Sequence, residues 1–146
     1  MKIHTEILSI KNNIDEIIPL LEQLHPDLSK GTIHHRLIEM EQLPYVMLGA
    51  YNDARLVGLC GCWEITKVFS GKQIEIDNFI IDQRYRNNGV GTTLVNSVMQ
   101  EAAKRNCEAV TLNAYLENKL AHDFYGKFGF EAKGYHFVSS INSNIL

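Results

Sequence analysis

A glycine-rich turn leads directly into the clearest helical pattern of this 146-residue chain, and the two together constrain the fold more than any other feature. Apolar residues recur at helical spacing and predict a helix from near Gly89 to near Arg105. They are Val90, Leu94, Val95, Val98 and Ala102. The run before the turn, "QIEIDNFII", predicts a strand. We therefore expect a strand, a tight turn and a long helix that joins this strand to a parallel neighbour.

The segments before this unit predict a strand, two helices and an antiparallel meander. "IHTEILSI" alternates as a strand, and the helix after it could be capped by Asn12 or Asn13 and is interrupted by Pro19. Ser29 can cap the second helix. The runs "YVMLGAY" and "ARLVGLCGCWEIT" are separated by turn residues, and "SGK" separates the second run from "QIEIDNFII". These three runs predict the meander.

The segments after the long helix complete the expected fold. "EAVTLNAY" predicts a strand, a short helix follows from about Asn118 to Phe128, and a final strand is expected beyond Gly129. The order β-α-α-β-β-β-α-β-α-β indicates an α+β (mixed α/β) fold. Its sheet is antiparallel at first and parallel around the long helix. The length predicts a single domain over residues 1–146.

The composition argues against several classes of partner and site. A net charge of −3 gives no reason to expect nucleic acid or an anionic membrane. Three cysteines without a secretory leader predict reduced thiols in a soluble, cytoplasmic protein. No run approaches the ~20 apolar residues of a membrane span. Cys60 and Cys62 are spaced C-x-C without a second pair, so we expect no metal site.

The glycine-rich turn has the features of an anion site. The first N–H groups of a helix lack intrahelical partners and lie at the positive end of its dipole. Gly89 and Gly91 leave the approach to these groups open, and Arg84 and Arg86 add charges that suit phosphate geometry. The stretch lacks the Lys-Ser or Lys-Thr pair of a P-loop and the third glycine of a Rossmann fingerprint. The alternative is a connecting turn with surface arginines.

Two motifs resemble those of the GNAT-type N-acetyltransferases. "RNNGVG", Arg86 to Gly91, matches the Q/R-x-x-G-x-G/A signature that cradles the pyrophosphate of acetyl-CoA in that family. The second motif, N-x-x-A-x-x-x-Y-x-x-x-G-F, is matched by Asn118, Ala121, Tyr125, Gly129 and Phe130. The resemblance covers nearly the whole chain, and it looks most like the branch that contains aminoalkylphosphonate acetyltransferase. Gln83 departs from the pattern, because many relatives have proline there.

The resemblance implies a twisted mixed sheet of about six to seven strands flanked by about four helices. It implies acetyl-CoA as co-substrate, a small primary amine as acceptor, and neither nucleic acid, membrane nor metal as a partner; a homodimer stays open. The acceptor site would be formed by about Leu24 to Gln42 and Thr66 to Lys72. The implied cofactor-binding residues are Phe79, Ile80, Ile81, Arg84, Arg86, Asn87, Asn88, Gly89, Val90, Gly91, Thr92, Asn113, Asn118 and Tyr125.

The chemistry of N-acetylation asks for a base. Removing the proton of an ordinary ammonium at pH 7 costs roughly 4.6 kcal/mol, from ~3.4 pK units at about 1.36 kcal/mol each. Alternation along "QIEIDNFII" predicts one shared face for Glu75, Asp77, Phe79 and Ile81. Glu75 falls where several family members place a catalytic glutamate, so it is the first candidate base and Asp77 the second. The alternative for Glu75 is a solvated residue near the start of the strand.

The leaving thiolate asks for a proton donor. Tyr125 matches the tyrosine that fills this role in many family members; the alternative is an aromatic ring that packs on the last helix. Nothing near Cys107 supplies a base for a covalent acetyl-cysteine, so we expect direct transfer in a ternary complex. Two competing functions are acetylation of a protein N-terminus or lysine, and a non-catalytic module that binds acyl-CoA.

Overall fold

An antiparallel meander makes up most of the sheet. The computed structural model describes residues 1–142, and its sheet has five strands in the order β1-β2-β3-β4-β5. The strands are β1 (Ile3–Leu8), β2 (Tyr45–Asn52), β3 (Arg55–Lys67), β4 (Gly71–Ile81) and β5 (Ala109–Leu112). The first four pair antiparallel in chain order, and β5 runs parallel to β4. This confirms both the predicted meander and the predicted parallel neighbour.

The helices begin at capping residues with one exception. They are α1 (Ile10–Leu24), α2 (Lys30–Glu41), α3 (Val90–Lys104) and α4 (Lys119–Gly126), and a 3-10 turn spans Gln83–Tyr85. Ser29 caps α2 as predicted. The expected cap of α1 at Asn12 or Asn13 is wrong, because Ser9 accepts from the backbone N–H of Asn12 and the helix starts earlier. Asn13 instead interrupts the helical backbone, and Pro19 lies inside the helix.

Helices cover both faces of the sheet, and neighbouring residues of β3 face different helices. Leu59 belongs to the core that includes Ile17 of α1 and Leu37 of α2. Its neighbour Gly58 faces the other way, where an added Cβ would lie 3.2 Å from Cδ1 of Leu94 in α3. The predicted apolar stripe of α3 is buried along this second face. We call the two sides the α1/α2 face and the α3 face.

A β-bulge in β4 changes which residues share a face. Gly61 pairs with Asp77, whereas Leu59 pairs with Ile80, so β4 has one residue more than β3 in this interval. Asn78 adopts a left-handed φ of 56° there. Laterally paired residues lie on the same face, so Asp77 lies on the α1/α2 face and Ile81, opposite Gly58, on the α3 face. The predicted common face of Glu75, Asp77, Phe79 and Ile81 is therefore wrong beyond Asp77.

The chain separates into two compact units, Met1–Leu112 and Asn113–Leu146. The second unit contains α4, which confirms the predicted short helix. The strand expected beyond Gly129 is not formed in residues 130–142. The predicted α+β class is thus confirmed with five strands in place of six or seven. In residues 1–142, every helix is too short or too polar to span a bilayer.

Candidate active site

Asp82 anchors the turn between β4 and α3. The residue is only 3% exposed. Oδ1 accepts from the backbone N–H and Nε of Arg84 at 3.0 and 3.3 Å, and Oδ2 accepts from Nη2 at 2.9 Å. The guanidinium of Arg84 is therefore already paired, and its clearest effect is to fix the turn. Sequence reasoning missed Asp82, although an acidic residue at the end of a buried strand and two positions before an arginine was a usable signal.

The rest of the turn is held by its own polar groups. Arg86 Nε donates to the carbonyl oxygen of Ile81 at 3.2 Å, while its two terminal nitrogens carry the other four N–H groups of the exposed guanidinium. The amide of Asn88 donates to the carbonyls of Tyr85 and Arg86 at 3.3 and 3.1 Å. Asn87 adopts a left-handed φ of 64°. Arg86 is consequently the better placed of the two predicted arginines for an added anion.

The N-terminus of α3 is built without a capping side chain. Its N-cap residue is Gly89, with φ 80° and ψ 5°, whereas α1, α2 and α4 are each capped by a serine or an asparagine. The first intrahelical bond runs from Thr93 N–H to the carbonyl of Gly89 at 3.1 Å. The N–H groups of residues 90–92 thus have no intrahelical acceptor. A Cβ added at Gly89 would meet nothing within 4 Å, so the approach to these groups is open.

Strand β4 extends past its parallel partner. The β4–β5 pairing ends at Ile76 and Leu112, and β4 continues to Ile81 before the turn. The ends of these parallel strands therefore part at the same edge where α3 begins. Crevices at the carboxyl ends of parallel strands are common ligand sites. The predicted cofactor residues Phe79, Ile80 and Ile81 lie on this segment.

The two candidate bases have different surroundings on the α1/α2 face. Asp77 Oδ2 accepts hydrogen bonds from Trp63 Nε1 and Asn78 Nδ2, each at 3.1 Å. The carboxylate of Glu75 is half-buried and makes no hydrogen bond or ion pair among residues 1–142. Thr111 lies level with Glu75 on β5, and its buried Oγ1 has no partner in the described part of the chain. Glu75 is thus the carboxylate whose oxygens are not already committed.

A polar network around Asn78 was not found by sequence reasoning. Its amide oxygen lies 3.0 Å from Nε2 of His25, at the end of α1, and its Nδ2 donates to the hydroxyl of Tyr45 at 3.3 Å. Burial raises the pKa of Tyr45, so this hydroxyl stays neutral. The available signal was the Asp-Asn pair inside an isoleucine-rich strand, where two polar residues interrupt the alternation.

Tyr125, Asn118 and Asn113 belong to the second unit. Asn118 caps α4 by accepting from the N–H of Ala121 at 3.1 Å. The ring of Tyr125 packs edge-on against Phe124 and Phe130, with centroids 5.1 and 5.7 Å apart. Tyr125 therefore has the packing contacts that the alternative interpretation expected. Its role as the proton donor stays a prediction.

Two of the three cysteines are too buried to act as nucleophiles. A hydrogen bond with Cys62 and burial raise the pKa of the Cys60 thiol, so it stays protonated. Cys62 is 1% exposed, and Cys107 is half-buried. All three thiols are free.

Known sequences match most of the chain. Residues 12–130 match the model of the acetyltransferase (GNAT) family. An uncharacterized N-acetyltransferase of Bacillus subtilis (strain 168), YhdJ, is 27% identical over 137 residues, which cover 92% of this chain and 96% of YhdJ. The spermine/spermidine N(1)-acetyltransferase of the same organism is 29% identical over 94 residues, or 62% of each chain.

A solved structure has the same fold. The aminoglycoside N-acetyltransferase AAC(6')-Iy, in complex with a bisubstrate analog, CoA-S-monomethyl-acetylneamine, superposes with a TM-score of 0.84 at 15% identity. The match covers 98% of this chain and all of that one. Together with the family match over residues 12–130, these findings place the chain in the GNAT family of acetyltransferases, as an N-acetyltransferase.

Proposed function

We propose that the protein transfers the acetyl group of acetyl-CoA to a primary amine of a small molecule, by direct transfer with both substrates bound. The observation that carries this proposal is the uncapped N-terminus of α3, which begins at the edge where β4 and β5 part. It offers unpaired N–H groups, an open approach and a neighbouring arginine in one place.

The cofactor fits this edge in two parts. The pyrophosphate would lie on the backbone N–H groups between Asn87 and Thr92, with Arg86 beside it and Arg84 holding the turn through Asp82. The extended pantetheine arm would run along Phe79–Ile81, past the point where β5 ends. An extended ligand that adds to the edge of a strand is a common mode of recognition.

The free cysteines agree with a cytoplasmic protein.

Two side chains would handle the protons. Acetyl-CoA supplies an acetyl group activated as a thioester. Glu75 would take the proton from the attacking nitrogen, because its carboxylate is uncommitted and faces away from α3. The Tyr125 hydroxyl would give a proton to the departing sulfur and regain one from solvent. No covalent acetyl-cysteine is needed, in keeping with the buried Cys60 and Cys62.

The proposal of a small acceptor rests on the names of two similar proteins. The names of the spermine/spermidine enzyme and of the aminoglycoside enzyme both describe small amines. They support a small-molecule acceptor, as does the resemblance to the aminoalkylphosphonate branch. The alternative acceptors are a protein N-terminus and a lysine side chain.

The test is a thiol-release assay with acetyl-CoA and matched acceptors. One arm contains small primary amines, and the other contains peptides with a free N-terminus or a single lysine. We expect release of CoA with the small amines, and products whose mass rises by one acetyl group. Release with peptides alone would support the protein acceptor. If the protein binds CoA but releases no thiol in either arm, the result would support a non-catalytic module that binds acyl-CoA.

A further inference from the structure

Asp77 is fixed through one of its two carboxylate oxygens. Oδ2 accepts from both Trp63 Nε1 and Asn78 Nδ2 at 3.1 Å. Among residues 1–142, no donor lies on Oδ1. Two donors on one oxygen hold the orientation of this half-buried carboxylate. The other oxygen keeps its capacity to accept from a cation.

Asn78 sets this orientation. A carboxylate only accepts, so the Nδ2 of Asn78 must face Asp77, and its amide oxygen then faces His25. His25 closes the end of α1, and Trp63 packs against Tyr45 with centroids 4.6 Å apart and ring planes tilted by 51°. His25 at the end of α1, Tyr45 of β2 and Asp77 of β4 therefore hold the amide of Asn78.

Glu75 lies on the same face two residues before Asp77, which is ~6.6 Å along a strand. The uncommitted carboxylate and the fixed carboxylate thus stand side by side. Thr111 flanks Glu75 on β5, and its buried Oγ1 has no hydrogen-bond partner among residues 1–142. The spacing is close to that between the nitrogens of a short diamine.

We propose that Asp77 is a specificity-determining residue that binds a second, non-reacting ammonium group of the acceptor, and that Asn78 is its positioning residue. The inference rests on the proposed function and narrows the acceptor to a diamine or polyamine. The reacting nitrogen, bound as an ammonium, gives one proton to Glu75 and becomes a free amine. It loses its second proton to solvent as its bond to the acetyl carbon forms and the carbon–sulfur bond breaks, while the other nitrogen of the acceptor keeps its charge on Asp77. The departing sulfur gains the proton that completes the thiol.

The test compares 1,4-diaminobutane with 1-aminobutane, which has the same chain and one amine. We expect the wild type to prefer the diamine in kcat/KM by about 10- to 100-fold, the range for a hydrogen bond to a charged group. Asp77→Asn keeps an acceptor for Trp63 and removes the charge. It should bring the ratio between the two amines close to one, mainly through a higher KM for the diamine.

The matched control is Glu64→Gln. Glu64 lies next to Trp63 on the opposite face, paired with Lys72 and Arg105, and the substitution removes the same charge. It should leave the ratio unchanged. A wild type without preference for the diamine, or an unchanged ratio in Asp77→Asn, would overturn the proposal.

A binding arm separates this proposal from the proposed function. Trp63 is the only tryptophan and touches Asp77, so its fluorescence reports amine binding to the protein–CoA complex without turnover. Tighter binding of the diamine than of 1-aminobutane supports the proposal even if no acetyl group moves. Equal binding of both amines contradicts it.

The role of Asn78 is tested with Asn78→Gly, because glycine keeps the left-handed backbone and deletes the amide. A positioning role predicts a raised KM for the diamine and an unchanged KM for acetyl-CoA. A merely structural role predicts a lower Tm with both KM values raised together, and that result would remove Asn78 from the proposal.

Discussion

Glu75 and Asp77 share a face of β4 but differ in what their oxygens contact. Asp77 is held by Trp63 and Asn78, whereas Glu75 has no such partner in residues 1–142. A base must exchange a proton with its substrate, and a carboxylate already committed to two donors is less suited to that task. These contacts therefore favour Glu75 as the base and Asp77 as a residue that binds the acceptor.

The first prediction is that Glu75→Gln lowers kcat at neutral pH by about 10²–10⁴-fold, the usual contribution of a positioned acid or base. Raising the pH should recover part of the loss, because the free amine then accumulates without help. Steady-state rates between about pH 6 and 9 measure this, the span over which an ordinary amine of pKa near 10.4 begins to lose its proton. If Glu75→Gln keeps the wild-type rate at every pH, Glu75 is a solvated residue and not the base.

The second prediction concerns Tyr125, whose ring packs against Phe124 and Phe130. Tyr125→Phe keeps this packing, so Tm and CoA affinity should change little, while kcat falls by about 10²–10⁴-fold. The loss should shrink with a thioester whose thiol has a lower pKa, because that thiolate needs less help to leave. Parallel losses of Tm, CoA affinity and rate would instead identify a packing residue.

At the scale of elements, α3 differs from the other three helices in lacking a capping side chain. Relative to glycine, a Ser, Asp or Asn at the N-cap would stabilise a helix by roughly a few tenths of a kcal/mol. Gly89 gives up that contribution and leaves the first N–H groups open to a ligand. The proposed anion cradle is this open N-terminus as a whole, with the N–H groups of residues 90–92.

The third prediction follows from this end of α3. Gly89→Val forces a branched residue to a φ of 80°, which costs roughly 1–2 kcal/mol or more of stability, and it narrows the approach to the N–H groups. CoA affinity measured by calorimetry should fall tenfold or more. The control is Gly134→Val, also in open space but without a left-handed φ. Unchanged affinity in a folded Gly89→Val variant would contradict the cradle.

The start of a helix could be predicted from the sequence where a single residue was a candidate for its cap. Ser29 caps α2 as predicted, and the stripe of α3 is buried as its spacing indicated. The cap of α1 was misplaced because Ser9 has the same capping chemistry as Asn12 and Asn13 and comes earlier in the chain. The helix also accommodates Pro19, which propensity alone disfavours.

At the scale of the whole molecule, a ligand that binds only the folded state should raise Tm. Our fourth prediction is that acetyl-CoA at about 100 times its Kd stabilises the protein by about 2.7 kcal/mol. S-Acetylpantetheine, which lacks the pyrophosphate, should give a clearly smaller shift at the same concentration. Thermal unfolding with each ligand measures the difference. Equal shifts would mean that the N-terminus of α3 does not hold the pyrophosphate.

The sequence by itself determined the features that depend on neighbours along the chain. The sequence features behind these predictions lie within short windows: the stripe of α3, the glycines at its start and the Asn118 to Phe130 motif. The family, the meander and the helix that begins at Gly89 could therefore be predicted. Periodicity is enough for these, because side-chain direction repeats every few residues in a helix or strand.

Only the tertiary structure decided which way the residues around the bulge face and what they touch. An extra residue in β4 is visible only in its register with β3, and it moves Ile81 to the face opposite Asp77. The partners of Asn78 and Asp77 are equally remote: His25 lies 53 positions from Asn78, and Trp63 lies 14 from Asp77. Contacts between such distant positions depend on how the strands and helices pack, and a local pattern of residues carries no record of that packing.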